Sequence, residues 1–324
     1  MIVGTAKCYS VFGGVLRTTL RLPELHESPA DRDVTWTLRV NEAVEAPPVN
    51  ALSTVREELA GAVSVSLESL GDGGYRLTYS DTGTFDVSPD GAVIDWYRAP
   101  QAREDLARTD ILGRVLALAA RASGIARDSG VLMLHASAVM LGGEVAGFLA
   151  PKFFGKSTLA CALTDSGAQL VTDDALAIRS RERVECAPGV PAIRLRREAA
   201  IHLRGTDSSP ASDDGGDWRH LERRGRDEVM SDWQPLGALY VLAPRPSAEM
   251  PVAATRTQIT GAQAPMALVA FAKLGGLLSG ALAVDYLGHA ATIASKVPIY
   301  ALQCARDMER LDEVAGVITN WHQD

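Results

Sequence analysis

The tetrapeptide Gly155-Lys156-Ser157-Thr158 is the part of this chain best suited to chemistry. It follows the apolar run Val145 to Ala150, which reads as a strand, and it opens a helix expected from about Lys156 to Asp165. A helix N-terminus presents unpaired N–H groups and a partial positive charge, and both suit a phosphate. Strand, tight loop and helix-initial Gly-Lys-Ser is the context of a phosphate-binding P-loop. On that reading Lys156 bridges the outer phosphates of a nucleoside triphosphate and the Ser157 hydroxyl reaches Mg²⁺. The cradle would comprise Ala150, Lys152, Gly155, Lys156, Ser157 and Thr158. The full pattern asks for glycine where this chain has Ala150, so only the last glycine of the loop is kept. A nest of backbone N–H groups uses left-handed residues, at a cost of about 1–2 kcal/mol for a non-glycine. Extra positive charge from Lys152 would offset part of that. The plain alternative is a helix start that happens to read GKST.

Two further features bear on that alternative. Asp173-Asp174 ends the next expected strand, seventeen residues after Lys156. In an open α/β sheet ligands sit at the carboxyl ends of strands, the edge from which the helix also starts. Two carboxylates beside a triphosphate can divide the work, one holding Mg²⁺ and one accepting a proton from an attacking hydroxyl. The bland reading is an Asp-Asp turn. The second feature is His135. If Gly142-Gly143 is a two-residue hairpin turn, His135 falls opposite Ala150, at the mouth of the loop. There it could contact phosphate or orient the carboxylates. It could equally be a core histidine satisfied by backbone.

These residues need elements to position them. Tyr75 to Tyr97 alternates between turn signals at Asp81-Thr82-Gly83 and Asp90-Gly91, which predicts a three-strand meander. Strands are expected around Tyr9 to Leu20 and Val34 to Val40, with loop from Asn41 to Ser53. Glu104 to Ser123 has helical periodicity, with Gly124 as its cap. We place a domain boundary there: residues 1–126 form a β-rich part ending in a linking helix, and 127–324 hold the phosphate loop. Leu132 to Leu141 and Val145 to Ala150 read as a hairpin, with a third strand through Leu170-Val171. Beyond Ile178, Arg194 and Arg196 alternate onto one side of a candidate strand, where they would reach phosphate or make a surface ion pair. Gly205 to Asp217 is loop. The basic stretch Arg219, Arg223, Arg224 and Arg226 is either a flap over nucleotide or a solvated face. Leu236 to Leu242 predicts a buried strand closed by Pro244, then helices through Gly288, a strand at Pro298 to Gln303 and a helix from Arg306 to Trp321.

Leu134-His135-Ala136-Ser137-Ala138-Val139, then the hairpin, GKSTLA and Val171-Thr172-Asp173-Asp174, resembles the HPr kinase/phosphorylase superfamily. The closer resemblance is to the lasso-peptide-kinase type, which phosphorylates a serine of a precursor peptide. Tyr9-Ser10-Val11-Phe12-Gly13-Gly14, Leu22-Pro23-Glu24-Leu25, Pro188 to Leu195 and Val297 to Leu302 share in it, while residues 132–178 carry its specificity. The resemblance implies an α/β fold with a P-loop-containing, HPr-kinase-like (phosphoenolpyruvate-carboxykinase-like) core and a smaller β-rich N-terminal part. It implies an ATP-dependent kinase acting on a hydroxyl, with Mg²⁺. Carried over by position, Lys156 binds phosphates, Ser157 binds Mg²⁺, His135 lines the site, Asp173 is the base and Asp174 faces Mg²⁺. The downstream Glu-x-Arg-Gly-type run of the HPr kinases themselves is not evident, so HPr and phosphorolysis are not implied.

Composition narrows the alternatives. The chain has 324 residues, 47% hydrophobic and 22% charged, which excludes general disorder. Lys+Arg 32 against Asp+Glu 40 gives a net charge of −8, against a sequence-independent grip on nucleic acid. Cys8, Cys161, Cys186 and Cys304 form no C-x-x-C pair, which fits a reducing compartment. No leader pattern is visible, and the apolar stretch Pro265 to Leu287 is interrupted by Lys273, three glycines and Asp285, so it reads as buried helix rather than membrane span. The expectation is a cytoplasmic kinase with a peptide or small-molecule hydroxyl acceptor, no nucleic-acid or membrane partner, and self-association left open. Two readings compete with it. One is a nucleotide-binding protein without turnover, whose β-rich part recognises a partner. The other takes phosphate from ADP or pyrophosphate.

Overall fold

In the computed structural model, which describes residues 5–42, 45–126, 130–205, 219–223 and 232–323, the alternation of the first hundred residues becomes one sheet. Its strands are β1 (Lys7–Val11), β2 (Gly14–Thr18), β3 (His26–Glu27), β4 (Trp36–Asn41), β5 (Ala51–Glu58), β6 (Ser64–Leu70), β7 (Tyr75–Tyr79), β8 (Gly83–Val87) and β9 (Val93–Arg98). They lie in the order β3-β1-β2-β4-β9-β8-β7-β6-β5. The expected meander is β7, β8 and β9, antiparallel throughout. The loop expected to run to Ser53 ends earlier, because β5 begins at Ala51 and pairs with β6. β5 is an edge strand that is largely exposed on both faces, so it has no hydrophobic alternation to read.

The linking helix is three segments rather than one. They are α1 (Glu104–Asp110), a π-helical segment (Ile111–Val115) and α2 (Leu116–Ala126). Gly113 breaks the helix at φ −94 and ψ −106. A Cβ on Gly113 would stand 3.5 Å from Lys273 Cε, so the break packs directly on that lysine. Gly124 caps nothing, since the helix runs on to Ala126.

Asp110 lies just before this break and accepts a hydrogen bond from Thr82 Oγ1 at 2.7 Å. Burial pushes its carboxyl up to about 7, with Thr82 and Arg114 opposing and Asp81 adding to the shift. A raised carboxyl makes folding less favourable as pH rises from the ordinary value near 4 toward 7. Asp110→Asn should therefore flatten the profile. Between pH 5 and pH 8, urea unfolding of the wild type should lose on the order of a few kcal/mol relative to the variant. Parallel pH profiles for the two proteins would refute the assignment.

The second sheet is built from β10 (Val131–Leu134), β11 (Ala136–Leu141), β12 (Glu144–Leu149), β13 (Gln169–Thr172), β14 (Leu176–Ser180) and β15 (Val184–Ala187). Between β12 and β13 runs α3 (Lys156–Asp165). After β15 come β16 (Ala192–Arg196), α4 (Arg197–Arg204) and β17 (Arg219–Arg223), then β18 (Gln234–Arg245) and β19 (Ala254–Ile259). The chain closes with α5 (Gln263–Ala270), α6 (Gly280–Ala294), β20 (Ile299–Ala305) and α7 (Leu311–Asn320). The sheet runs β10-β14-β15-β18-β12-β11-β13, with β20 also on β18 and β19 on β20, while β16 and β17 form a separate ribbon.

The expected hairpin is present, and Gly142 and Gly143 supply its turn with φ of 57° and 83°. The apolar run Leu132 to Leu141 is not one strand. It divides at His135, whose backbone N–H leaves the ladder to donate to Phe271 O at 2.7 Å. β10 therefore pairs with β14, and β11 with β12 and β13. Pro244 does not close β18. The β12 partner stops at Leu149 opposite Val241, so beyond that point the missing proline N–H is not required on that side. β19 falls where only helix was expected, because Thr255, Arg256, Thr257 and Gln258 are exposed and polar. A 3₁₀ turn (Met308–Arg310) precedes α7, so the last helix starts at Leu311 rather than Arg306. Residues 206–217 of the expected acidic loop, and Arg224 and Arg226, lie outside the described residues. Arg219 to Arg223 form β17 along β16.

Three parallel strands, β12, β18 and β20, are the heart of this sheet. Ala146, Phe148, Tyr240 and Leu302 point to one face and pack with α3 and α7. Leu149, Leu239 and Ile299 point to the other and pack with α5 and α6. Burial on both faces explains their near-continuous apolar sequences. Among the described residues no helix is long and apolar enough to cross a membrane.

Candidate active site

All three parallel strands end on one side of the sheet, and a cavity of about 410 Å³ lies there. The strand–loop–helix expected at Ala150 to Lys156 is present, and α3 begins at Lys156. Gly155 caps the helix at φ 92°, with open space where a Cβ would be. Phe153 takes φ 72° without being glycine, so the missing glycines leave a local strain of about 1–2 kcal/mol. Phe153 and Phe154 are 53% and 45% exposed at the cavity rather than packed inward. The Arg196 guanidinium lies 4.0 Å from the centre of the Phe153 ring. Lys152 and Thr158 also line the cavity.

Lys156 is buried, and its ammonium donates to Ala150 O at 2.8 Å and Pro151 O at 3.2 Å. It also lies 3.0 Å from His135 Nε2. The hairpin register placed His135 opposite Ala150, and Lys156 Nζ joins the two. Since an ammonium only donates, Nε2 of His135 accepts. Nδ1 then carries the proton and donates to Asp174, 3.1 Å from both its carbonyl and its Oδ1.

The two aspartates diverge. Asp173 is 4% exposed, and its Oδ1 accepts from Ser157 Oγ at 2.9 Å and from Ser137 Oγ at 2.5 Å. Its Oδ2 accepts from the Arg194 backbone N–H at 3.1 Å. Asp174 adopts φ 78° and engages different partners. Its Oδ2 accepts from Lys273 Nζ at 2.7 Å, and its carbonyl accepts from the same ammonium at 3.1 Å. Burial alone would raise the Asp174 carboxyl. Lys273 and His135 outweigh it and hold the group well below the ordinary carboxylate range. Gly189 backs the pair, since a Cβ there would fall 2.2 Å from Thr172 Oγ1.

His135, Lys156, Ser157, Asp173 and Asp174 thus meet at one place, with Arg194 also lining the cavity. Two further residues had no role assigned from sequence. Ser137 lay within the quoted motif, two positions from His135. Lys273 was visible only as a lone charge inside an apolar stretch, and such a charge is expected to find a partner.

Among the described residues no group of three His, Cys, Asp or Glu side chains could hold a metal on its own. Mg²⁺ beside a polyphosphate takes one or two protein oxygens, with phosphate and water supplying the others. The Ser157 hydroxyl and the Asp173 carboxylate, already 2.9 Å apart, are such a pair.

No family model matches the chain, and no curated protein matches it. Among solved structures it is similar to the HPr(Ser) kinase/phosphatase from Coxiella burnetii, at 14% identity and a TM-score of 0.29. That match covers 58% of this chain and 95% of the other.

Proposed function

We propose that this chain is an ATP-dependent kinase that transfers a phosphoryl group to the hydroxyl of a peptide serine or a small-molecule alcohol. The observation that carries the proposal is the convergence of Lys156, Ser157, Asp173, Asp174 and His135 on one cavity at the N-terminus of α3. The α3 N-terminus and the Lys156 ammonium would hold the outer phosphates. Bound Mg²⁺ would neutralise phosphate charge, held by Ser157 and Asp173. The sequence-based assignment made Asp173 the base and Asp174 the metal ligand, and the geometry favours the exchange. Asp173 is committed to Ser157 and buried beneath it. Asp174, one third exposed, faces the cavity with His135.

In the transfer, the acceptor oxygen forms a bond to the γ-phosphorus as the bond from that phosphorus to the β-bridging oxygen breaks. The acceptor proton passes to Asp174 and ADP leaves. A carboxylate held as anionic as Asp174 is a weak base, so its larger contribution is to orient the hydroxyl. Phosphoryl transfer depends mostly on positioning and charge stabilisation, which suits that role.

The test is ADP formation from Mg-ATP with and without serine-containing peptides and polyols. Acceptor-stimulated, Mg²⁺-dependent ADP release with phosphate recovered on the acceptor is expected. The second reading, binding without turnover, draws on the strained Phe153 and on the turn of Lys156 into its own loop. Nucleotide binding with no acceptor labelled would favour it.

A further inference from the structure

The cavity is longer than a triphosphate site requires. Away from Lys156 it continues over the carboxyl ends of β18 and β20, where its walls are Leu242, Pro244, Met308, Leu311 and Val314. Leu242 and Val314 are buried, while Met308 and Leu311 are half-buried at the edge. These walls are apolar.

Its position relative to the phosphate loop is set by the sheet. β12 leads into the loop, β18 lies next to it, and β20 lies beyond β18. Neighbouring strands are about 4.8 Å apart, so Ala301 of β20, level with Leu149 through Val241, stands roughly 10 Å to the side of the end of β12, and β20 runs on to Ala305. A nucleotide needs such an offset, because a ribose separates its phosphates from its base. The rim fits the same ligand. Asp307 at the rim accepts from the Glu309 N–H and from Ser247 Oγ. Arg306, exposed at the rim, offers a planar cation that can lie on an aromatic face. Phe153 and Phe154 are less suitable, because they belong to the phosphate loop itself and Arg196 already lies over the Phe153 ring.

We infer that the slot between the ends of β18 and β20 and the start of α7 receives the nucleobase of the bound nucleotide. This rests on the phosphate-loop reading, and it leaves the His135 and Asp174 side of the cavity to the acceptor.

The experiment compares the binding of Mg-ATP with that of Mg-tripolyphosphate, which has the phosphates and no base, by calorimetry. The proteins are wild type, Met308→Trp and Leu311→Trp, two substitutions at half-exposed positions that fill the slot. Wild type should bind Mg-ATP roughly ten-fold or more tightly than tripolyphosphate, as burial of a ring on apolar side chains implies. Both variants should lose that advantage and bind tripolyphosphate like wild type. Equal affinities for the two ligands in wild type would overturn the slot, and this comparison needs no variant to fold. So would Mg-ATP affinity unchanged by either tryptophan, or both ligands lost together. If wild type binds neither ligand, the phosphate-loop reading itself is wrong and the slot falls with it.

Discussion

Lys156→Ala should abolish the rise in melting temperature that Mg-ATP gives the wild-type protein. A ligand at about one hundred times its Kd stabilises the folded state by roughly 2.7 kcal/mol. For a folding unit of this size each kcal/mol moves the midpoint by about 2–4 °C, so the wild-type shift should be several degrees. The ammonium of Lys156 sits where the loop carbonyls of Ala150 and Pro151 converge, beside His135. No other group on the loop brings a full positive charge to the helix N-terminus from inside the protein. Methionine is the informative companion, since Lys156→Met keeps most of the stem and removes only the charge. A shift of wild-type size in both variants would eliminate the phosphate-loop assignment.

The second large effect separates the aspartates. Asp174→Asn should keep nucleotide binding and lower turnover by roughly 10²-fold, as misplacing the acceptor hydroxyl implies. Asp173→Asn should act on binding, weakening Mg-ATP far more than ATP in the presence of chelator. Equilibrium binding with and without Mg²⁺, followed by single-turnover kinetics, reads the two effects separately. If Asp173→Asn binds Mg-ATP normally and fails only in turnover, the roles are those first read from the sequence.

Much of this site is legible in the sequence, for identifiable reasons. Helix start, hairpin turn and strand end are local signals, and each of them carries a chemical residue. The Gly142-Gly143 turn fixed the register that sets His135 beside the loop. What was not legible depends on distant partners. The break of the apolar run at His135 is set by Phe271, and the break of the linking helix at Gly113 is occupied by Lys273. Both partners lie in a stretch whose composition reveals only burial. That adjacent aspartates take separate partners follows from neighbouring side chains pointing different ways, but the left-handed backbone at Asp174 is announced by nothing in an Asp-Asp pair. Strands β5 and β19 escaped because their exposed residues do not alternate in hydrophobicity.

The Lys273–Asp174 pair also bears on the order in which the protein becomes competent as it is made. The ribosome delivers Asp174 ninety-nine positions ahead of Lys273. Until then the left-handed turn at Asp174 lacks the ammonium that grips both its carboxylate and its carbonyl. β18 and β20, the parallel strands that carry β12 and its loop, also follow Asp174 in the chain, and domains fold as units. The phosphate loop and the Asp174 turn therefore become competent together, once β20 has been made.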